Sequence, residues 1–86
     1  MKIEETSVVL DIYSDKINHF AEMQDEEDYD DWIKRWARLV DELDKLDCLD
    51  IDYIDWSTKD DHITLTTPIK NKEKVIKFLK EFESNL

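Results

Sequence analysis

The chain has 86 residues, 41% of them hydrophobic, enough for one domain with a single modest core. Its 23 acidic and 12 basic residues give a formal charge of -11, which repels free DNA or RNA and anionic membrane at long range. There is no glycine. The P-loop, the dinucleotide-binding turn, the nucleophile elbow and the KH clamp are therefore excluded, because each needs glycine for close backbone approach or positive φ.

In chain order, Thr6 to Tyr13 (TSVVLDIY) is rich in β-branched and aromatic residues and reads as a strand. Val8, Leu10 and Ile12 share one face, and Val9 and Tyr13 lie on the other with Asp11, a two-sided pattern that predicts a central strand. Ser14 or Asp15 then caps a short helix reaching about Met23, with Ile17, Phe20 and Ala21 on one side. Next comes MQDEEDYDDW, which places six carboxylates in the seven positions from Asp25 to Asp31, broken only by Tyr29.

Beyond it, Trp32, Trp36, Leu39, Leu43 and Leu46 recur at spacings of four, three, four and three, and Ile33 and Val40 widen the stripe. That is an amphipathic helix of about four turns. Asp28 or Asp30 is the expected N-cap, and the preceding carboxylates stand at the positive end of the helix dipole. Leu49, Ile51 and Tyr53 alternate with Asp50 and Asp52 as in a half-exposed strand, and the slip at Tyr53-Ile54 predicts a bulge or strand end there. Residues Ser57 to Asp61 form a turn, and His62 to Thr67 is the return strand, ended by Pro68. Asn71 is placed to cap a last helix, in which Val75, Phe78, Leu79, Phe82 and Leu86 share a face.

The expected fold is a single α+β domain spanning residues 1–86, in the order β-α-α-β-β-α. Its sheet has three strands, antiparallel or mixed, with the helices on one face and the first strand beside the last. No stretch approaches the roughly 18 apolar residues of a membrane span, and carboxylates occupy the place of a signal-peptide core. Cys48, the only cysteine, forms no internal disulfide. Those features point to a cytoplasmic protein.

Catalytic chemistry finds little support. Cys48 lies among Asp47 and Asp50, whose charge disfavours a thiolate, and neither His19 nor His62 has a partner implied by spacing. Asp50 to Asp55 (DIDYID) superficially follows an acidic calcium loop, but Asp55 stands where the sharp turn requires glycine. Zinc lacks ligands. The expectation is a protein that is not an enzyme, with no dedicated metal site and no cofactor.

The charge is segregated. From Lys70 onward five lysines face three glutamates, so the first 69 residues carry -13. Asp41, Glu42 and Asp44 fall on the polar flank of the long helix, Asp47, Asp50, Asp52 and Asp55 continue through the next strand, and Asp60 and Asp61 close the hairpin. Carboxylates three or four apart on a helix stand roughly 5–6 Å apart at Cβ, and outward strand residues repeat every ~6.6 Å. Such spacings are comparable with phosphates sampled along one groove wall of duplex DNA. Tyr29 and Trp56 fall outside the periodic positions and are candidate exposed anchors within a charged rim.

Small, acidic, glycine-free and without a catalytic constellation, the chain is similar in kind to the acidic inhibitors that phages and mobile elements use against nucleic-acid enzymes, such as DNA-mimic anti-CRISPR and anti-restriction proteins. That likeness lies in charge and size rather than in any shared motif. It implies a basic protein partner, a nucleic-acid-binding enzyme, met by Asp25, Glu26, Glu27, Tyr29, Asp41, Glu42, Asp44, Asp47, Asp50, Asp52, Asp55, Trp56, Asp60 and Asp61, with no direct contact to nucleic acid or membrane. The alternatives are an immunity or antitoxin protein that neutralises a basic nuclease toxin, and a non-inhibitory accessory protein that homodimerises through the tryptophan stripe. The chain itself is expected to be a monomer or homodimer.

Overall fold

The computed structural model describes residues 1, 3, 6–23, 26–54 and 61–86. Its elements are β1 (Ser7–Ile12), α1 (Asp15–Ala21), α2 (Tyr29–Asp44), β2 (Leu49–Ile54), β3 (His62–Pro68), a 3-10 turn (Ile69–Asn71) and α3 (Lys72–Ser84). This is the α+β order that the sequence predicts. The sheet is wholly antiparallel, with strand order β1-β3-β2.

β3, not β1, is the central strand. Its residues alternate cleanly, with Ile63, Leu65 and Thr67 buried and their neighbours half-buried. β1 pairs with it without interruption from Ser7↔Pro68 to Ile12↔Ile63. The apolar residues on the second face of β1, Val9 and Tyr13, are 62% and 65% exposed. They mark an uncovered sheet face rather than a second packed layer.

β2 departs further from expectation. Leu49 pairs with Thr66 and Asp52 with Thr64, so Asp50 and Ile51 together oppose one residue of β3. The bulge is therefore at Asp50-Ile51, whereas the slip at Tyr53-Ile54 marks the strand end, and Asp50 takes the left-handed conformation at φ 52°. Because side chains alternate with period two, this extra residue turns Leu49 outward, leaving it 64% exposed, while Ile51 packs against the core.

All three helices bury their apolar sides with the inner face of the sheet. Ile17 and Ala21 of α1, Leu39 and Leu43 of α2, and Val75 and Leu79 of α3 join Ile63 and Leu65 in one cluster. Trp36, Phe20, Phe78 and Phe82 pack around it as half-buried neighbours. Trp36 thus serves the core, as the spacing of the stripe predicts.

The caps are mixed. Ser14 Oγ accepts from the Ile17 amide at 3.2 Å and starts α1 as expected. Asp28 occupies the N-cap position of α2 without a side-chain cap bond. Asn71 likewise occupies the N-cap position of α3, but its side-chain amide instead donates to the Leu46 carbonyl at 2.9 Å. That bond satisfies a carbonyl just beyond the end of α2 and ties it to the start of α3.

Candidate acidic recognition surface

The acidic residues fall into three places, distinguished by what the fold does with their charge. The first is the N-terminal end of α2. Its opening carboxylates, including Asp30 and Asp31 in the first turn, face the positive end of the helix dipole, where negative charge is stabilising. Glu27 is bound internally: Arg35 holds both carboxylate oxygens, through Nη1 to Oε2 and through Nη2 to Oε1 at 2.8 Å, and the Glu27 side chain is only 15% exposed. The same guanidinium donates from Nε to the Phe20 carbonyl and from Nη2 to the Glu22 carbonyl, both at 2.8 Å. Trp32 Nε1 donates to the Ala21 carbonyl, also at 2.8 Å. Arg35 and Trp32 therefore close the C-terminal end of α1, whose last carbonyls have no helical partner of their own.

Most of the acidic run thus has a structural account, and Glu27 in particular is committed to Arg35 rather than offered to a partner. Glu26 is exposed. Tyr29 is 62% exposed, with its ring 5.7 Å from that of Trp32, which in turn stacks nearly parallel on Trp36 at 6.4 Å.

The middle of α2 carries an ordinary mixed surface, with Lys34 and Arg38 exposed between Asp30, Asp31 and the next acidic pair. The second acidic place is the C-terminal end of the helix. Asp41, Glu42 and Asp44 are all exposed there, and Asp47 follows in the turn at φ 63°. Asp50 continues the series in the bulge at φ 52°. The last turn of α2 contains no basic residue. Asp41, Glu42 and Asp44 therefore stand at the negative end of the helix dipole, with Asp47 just beyond it, where negative charge is unfavourable.

Lys45 compensates part of this charge, chiefly at Glu42 and more weakly at Asp41. Lys45 Nζ lies 2.9 Å from Glu42 Oε1, and Lys74 and Lys77 line the same shallow groove. The Lys45 ammonium is held above its ordinary pKa, first by that hydrogen bond to Glu42 and then by the Glu42 charge. Asp41, Asp44, Asp47 and Asp50 form no ion pair with another described residue.

Cys48 sits just beneath, almost fully buried. Burial pushes its thiol above the ordinary value, a hydrogen bond with Thr67 opposes this, and the Asp44 and Asp47 charges add to the rise. The group is held as the thiol, not the reactive thiolate.

The third place is the outer face of the sheet. Asp52 and Asp11 both pair with Thr64, one on each side of the central strand. His62 Nε2 is 3.5 Å from Asp11 Oδ1, and its ring stacks on Tyr13 at 4.7 Å. A separation of 51 positions hides this grouping from spacing arguments. Asp61 turns toward the interior: Tyr53 Oη donates to its Oδ2 at 3.1 Å, and the Asn18 side chain donates to its carbonyl. Asp25, Asp55, Trp56 and Asp60 lie outside the described residues.

Of the fourteen residues expected to form one surface, the ten that are described are spread over three places. Tyr29 and Asp44 stand at opposite ends of a 16-residue helix, about 22 Å apart at 1.5 Å per residue. Asp41, Glu42 and Asp44 crowd the last turn of α2, and Asp47 and Asp50 follow them at positive φ, a longer acidic series than the Glu81 and Glu83 that end α3. Among the described residues no group of three His, Cys, Asp or Glu is placed to hold a metal, and no helix is long and apolar enough to cross a membrane. In comparisons with known proteins the chain matches no family model, no curated protein sequence and no solved structure.

Proposed function

We propose that this is an acidic binding protein that occupies the nucleic-acid-binding cleft of a basic partner enzyme, after the manner of DNA-mimic inhibitors from phages and mobile elements. The C-terminal end of α2, continuing through Asp47 to Asp50, is the phosphate-like surface. One observation carries the reading: Asp44 and Asp47 concentrate charge where the helix dipole opposes it, and Asp47 and Asp50 also occupy left-handed backbone positions. A surface serving solubility alone would interleave lysines, as the middle of α2 does. Stability sacrificed at a local site is the usual mark of function there.

In this mechanism the Asp44, Asp47 and Asp50 carboxylates pair with arginine and lysine side chains that otherwise grip phosphates. The -11 field accelerates the encounter, most strongly at low salt.

The test begins with affinity capture from bacterial lysate at low ionic strength and elution in a salt gradient. The captured enzyme is then titrated with duplex DNA and with the protein carrying Asp44→Asn and Asp47→Asn. Support is a nucleic-acid enzyme whose DNA binding is lost in the presence of the protein, with the double variant weaker by about tenfold or more. Simultaneous binding of DNA and protein would favour the immunity-type reading, and binding indifferent to salt would exclude charge mimicry.

A further inference from the structure

Among the described residues, β1 forms an open edge of the sheet. The Ile69 amide donates to the Thr6 carbonyl at 3.2 Å, one step beyond the Ser7↔Pro68 pair. Hydrogen-bonded and non-bonded pairs alternate along an antiparallel ladder. Thr6, Val8, Leu10 and Ile12 therefore bond toward β3, and the N–H and C=O groups of Ser7, Val9 and Asp11 point away from it. Among the described residues no strand pairs with them.

The opposite edge is guarded, since β2 is broken by the bulge and carries Asp50 at positive φ. β1 has no bulge, proline or lysine, the usual devices that blunt an edge.

Beside this edge lies an apolar groove between β1, α1 and α3. It has a volume of about 390 Å³ and is lined by Leu10, Ile12, Ile17, Ile76 and Leu79. Leu10, Ile12 and Ile76 remain half-buried, although Leu10 and Ile12 border the core. Glu83 and Lys80 both stand on the rim, and the Glu83 carboxylate accepts from Ser14 Oγ, so the negative charge offered beside the edge is that of Asp11. On the outer side of the same edge, the Asp11 side chain is 54% exposed.

We propose that the β1 edge and this groove form a docking site for an extended segment of a basic protein partner, one that alternates apolar residues with lysine or arginine. The inference rests on the reading that the partner is basic. The added strand would take its main-chain hydrogen bonds from Ser7, Val9 and Asp11, about 4.8 Å from β1. Alternate side chains, on one face, would enter the groove over Leu10 and Ile12. Those between them would face outward, where a cationic residue meets Asp11. A second copy of this chain fits less well, because it brings the same -11 charge to the contact.

The probe is an acetylated eight-residue peptide alternating valine and lysine, compared with the same peptide N-methylated at every second backbone amide. Both are titrated by calorimetry at about 0.15 M salt, where surface charges are screened beyond ~8 Å. Val9→Pro removes a donor that the β1–β3 ladder does not use, whereas Val9→Thr keeps it. The expected result is binding of the unmodified peptide, unchanged by Val9→Thr. Both Val9→Pro and N-methylation should weaken it by about tenfold or more, the scale of a lost hydrogen-bonded pair.

Equal affinity across both changes would overturn the edge site, because attraction would then be charge alone. Were Val9→Pro to unfold by circular dichroism, the N-methylated peptide decides by itself. Failure of the peptide to bind, while an enzyme partner is still lost with Asp44→Asn and Asp47→Asn, would refute the edge and leave the acidic surface standing. Self-association sensitive to Val9→Pro, with no peptide binding, would overturn the assignment of the occupant.

Discussion

Arg35 grips both oxygens of the Glu27 carboxylate from eight residues away, and with its remaining donors holds the carbonyls that end α1. One side chain thereby connects α1, the acidic run and α2. Its loss would remove two donors from a half-buried carboxylate and one from each of two backbone carbonyls. Arg35→Ala should cost about 2–4 kcal/mol, more than an exposed ion pair contributes. Arg35→Lys should recover only part of this, because an ammonium lacks the planar fork. Urea unfolding measures both; a loss below about 0.5 kcal/mol for Arg35→Ala would show that the network is dispensable.

Trp32 contributes one donor to the same junction, through its 2.8 Å bond to the Ala21 carbonyl. Trp32→Phe keeps most of the ring and removes that donor. The expected cost is about 1 kcal/mol, with retained helix content by circular dichroism. A larger change would mean that the stacking on Trp36 depends on the indole itself.

Asp47 and Asp50 adopt positive φ in a chain that has no glycine at all. Aspartate tolerates the left-handed region better than most residues, yet glycine occupies it without steric cost. Asp47→Gly and Asp50→Gly should each stabilise the protein by about 0.5–1 kcal/mol, after allowing for the larger entropy of the glycine variant when unfolded. Asp44→Asn should add about 0.3–1 kcal/mol by removing a charge from the negative end of α2. Under the proposed function the same three variants weaken partner binding, so stability and affinity move in opposite directions. Thermal unfolding and a binding titration on the same samples test this. Destabilisation by all three would mean that the carboxylates serve the fold.

The element order and the core were legible because they depend on local periodicity. Leu39, Leu43, Val75 and Leu79 occupy the positions that helical spacing assigns to them, and Ile63 and Leu65 those that strand alternation does. What was not legible depended on distant partners or on a single backbone torsion. Val9 and Tyr13 look like the second face of a central strand, because sequence does not reveal which sheet face lacks a covering layer. The left-handed Asp50 forms the bulge and turns Leu49 outward, and no residue type announces it. Asn71 resembles a cap until the Leu46 carbonyl, 25 residues away, takes its amide. The candidate surface was obscured for a similar reason. Six carboxylates in seven positions draw attention to Asp25 through Asp31, but helix direction decides which carboxylates are stabilised and which are opposed.

Cys48 provides a measurement of the ground beneath that surface. Its thiol pKa is raised from about 9.0, chiefly by burial, with Asp44 and Asp47 adding to the effect. When the folded pKa lies above the unfolded one, the native state holds the proton more tightly and unfolding releases it. The corresponding stability is fully present below pH 9 and declines as pH rises through and beyond the unfolded value. Between about pH 8 and pH 10, wild type should therefore lose stability more steeply than Cys48→Ala, even if the alanine variant starts less stable because of its cavity. Comparison below pH 10 avoids Lys45, whose own raised pKa starts from 10.5. Native Cys48 should also react slowly with a disulfide reagent and rapidly after unfolding. Asp44→Asn should weaken the pH dependence without exposing the thiol, because it removes one of the two carboxylate charges while leaving burial intact. Parallel pH slopes for wild type and Cys48→Ala would show that the thiol is not shifted.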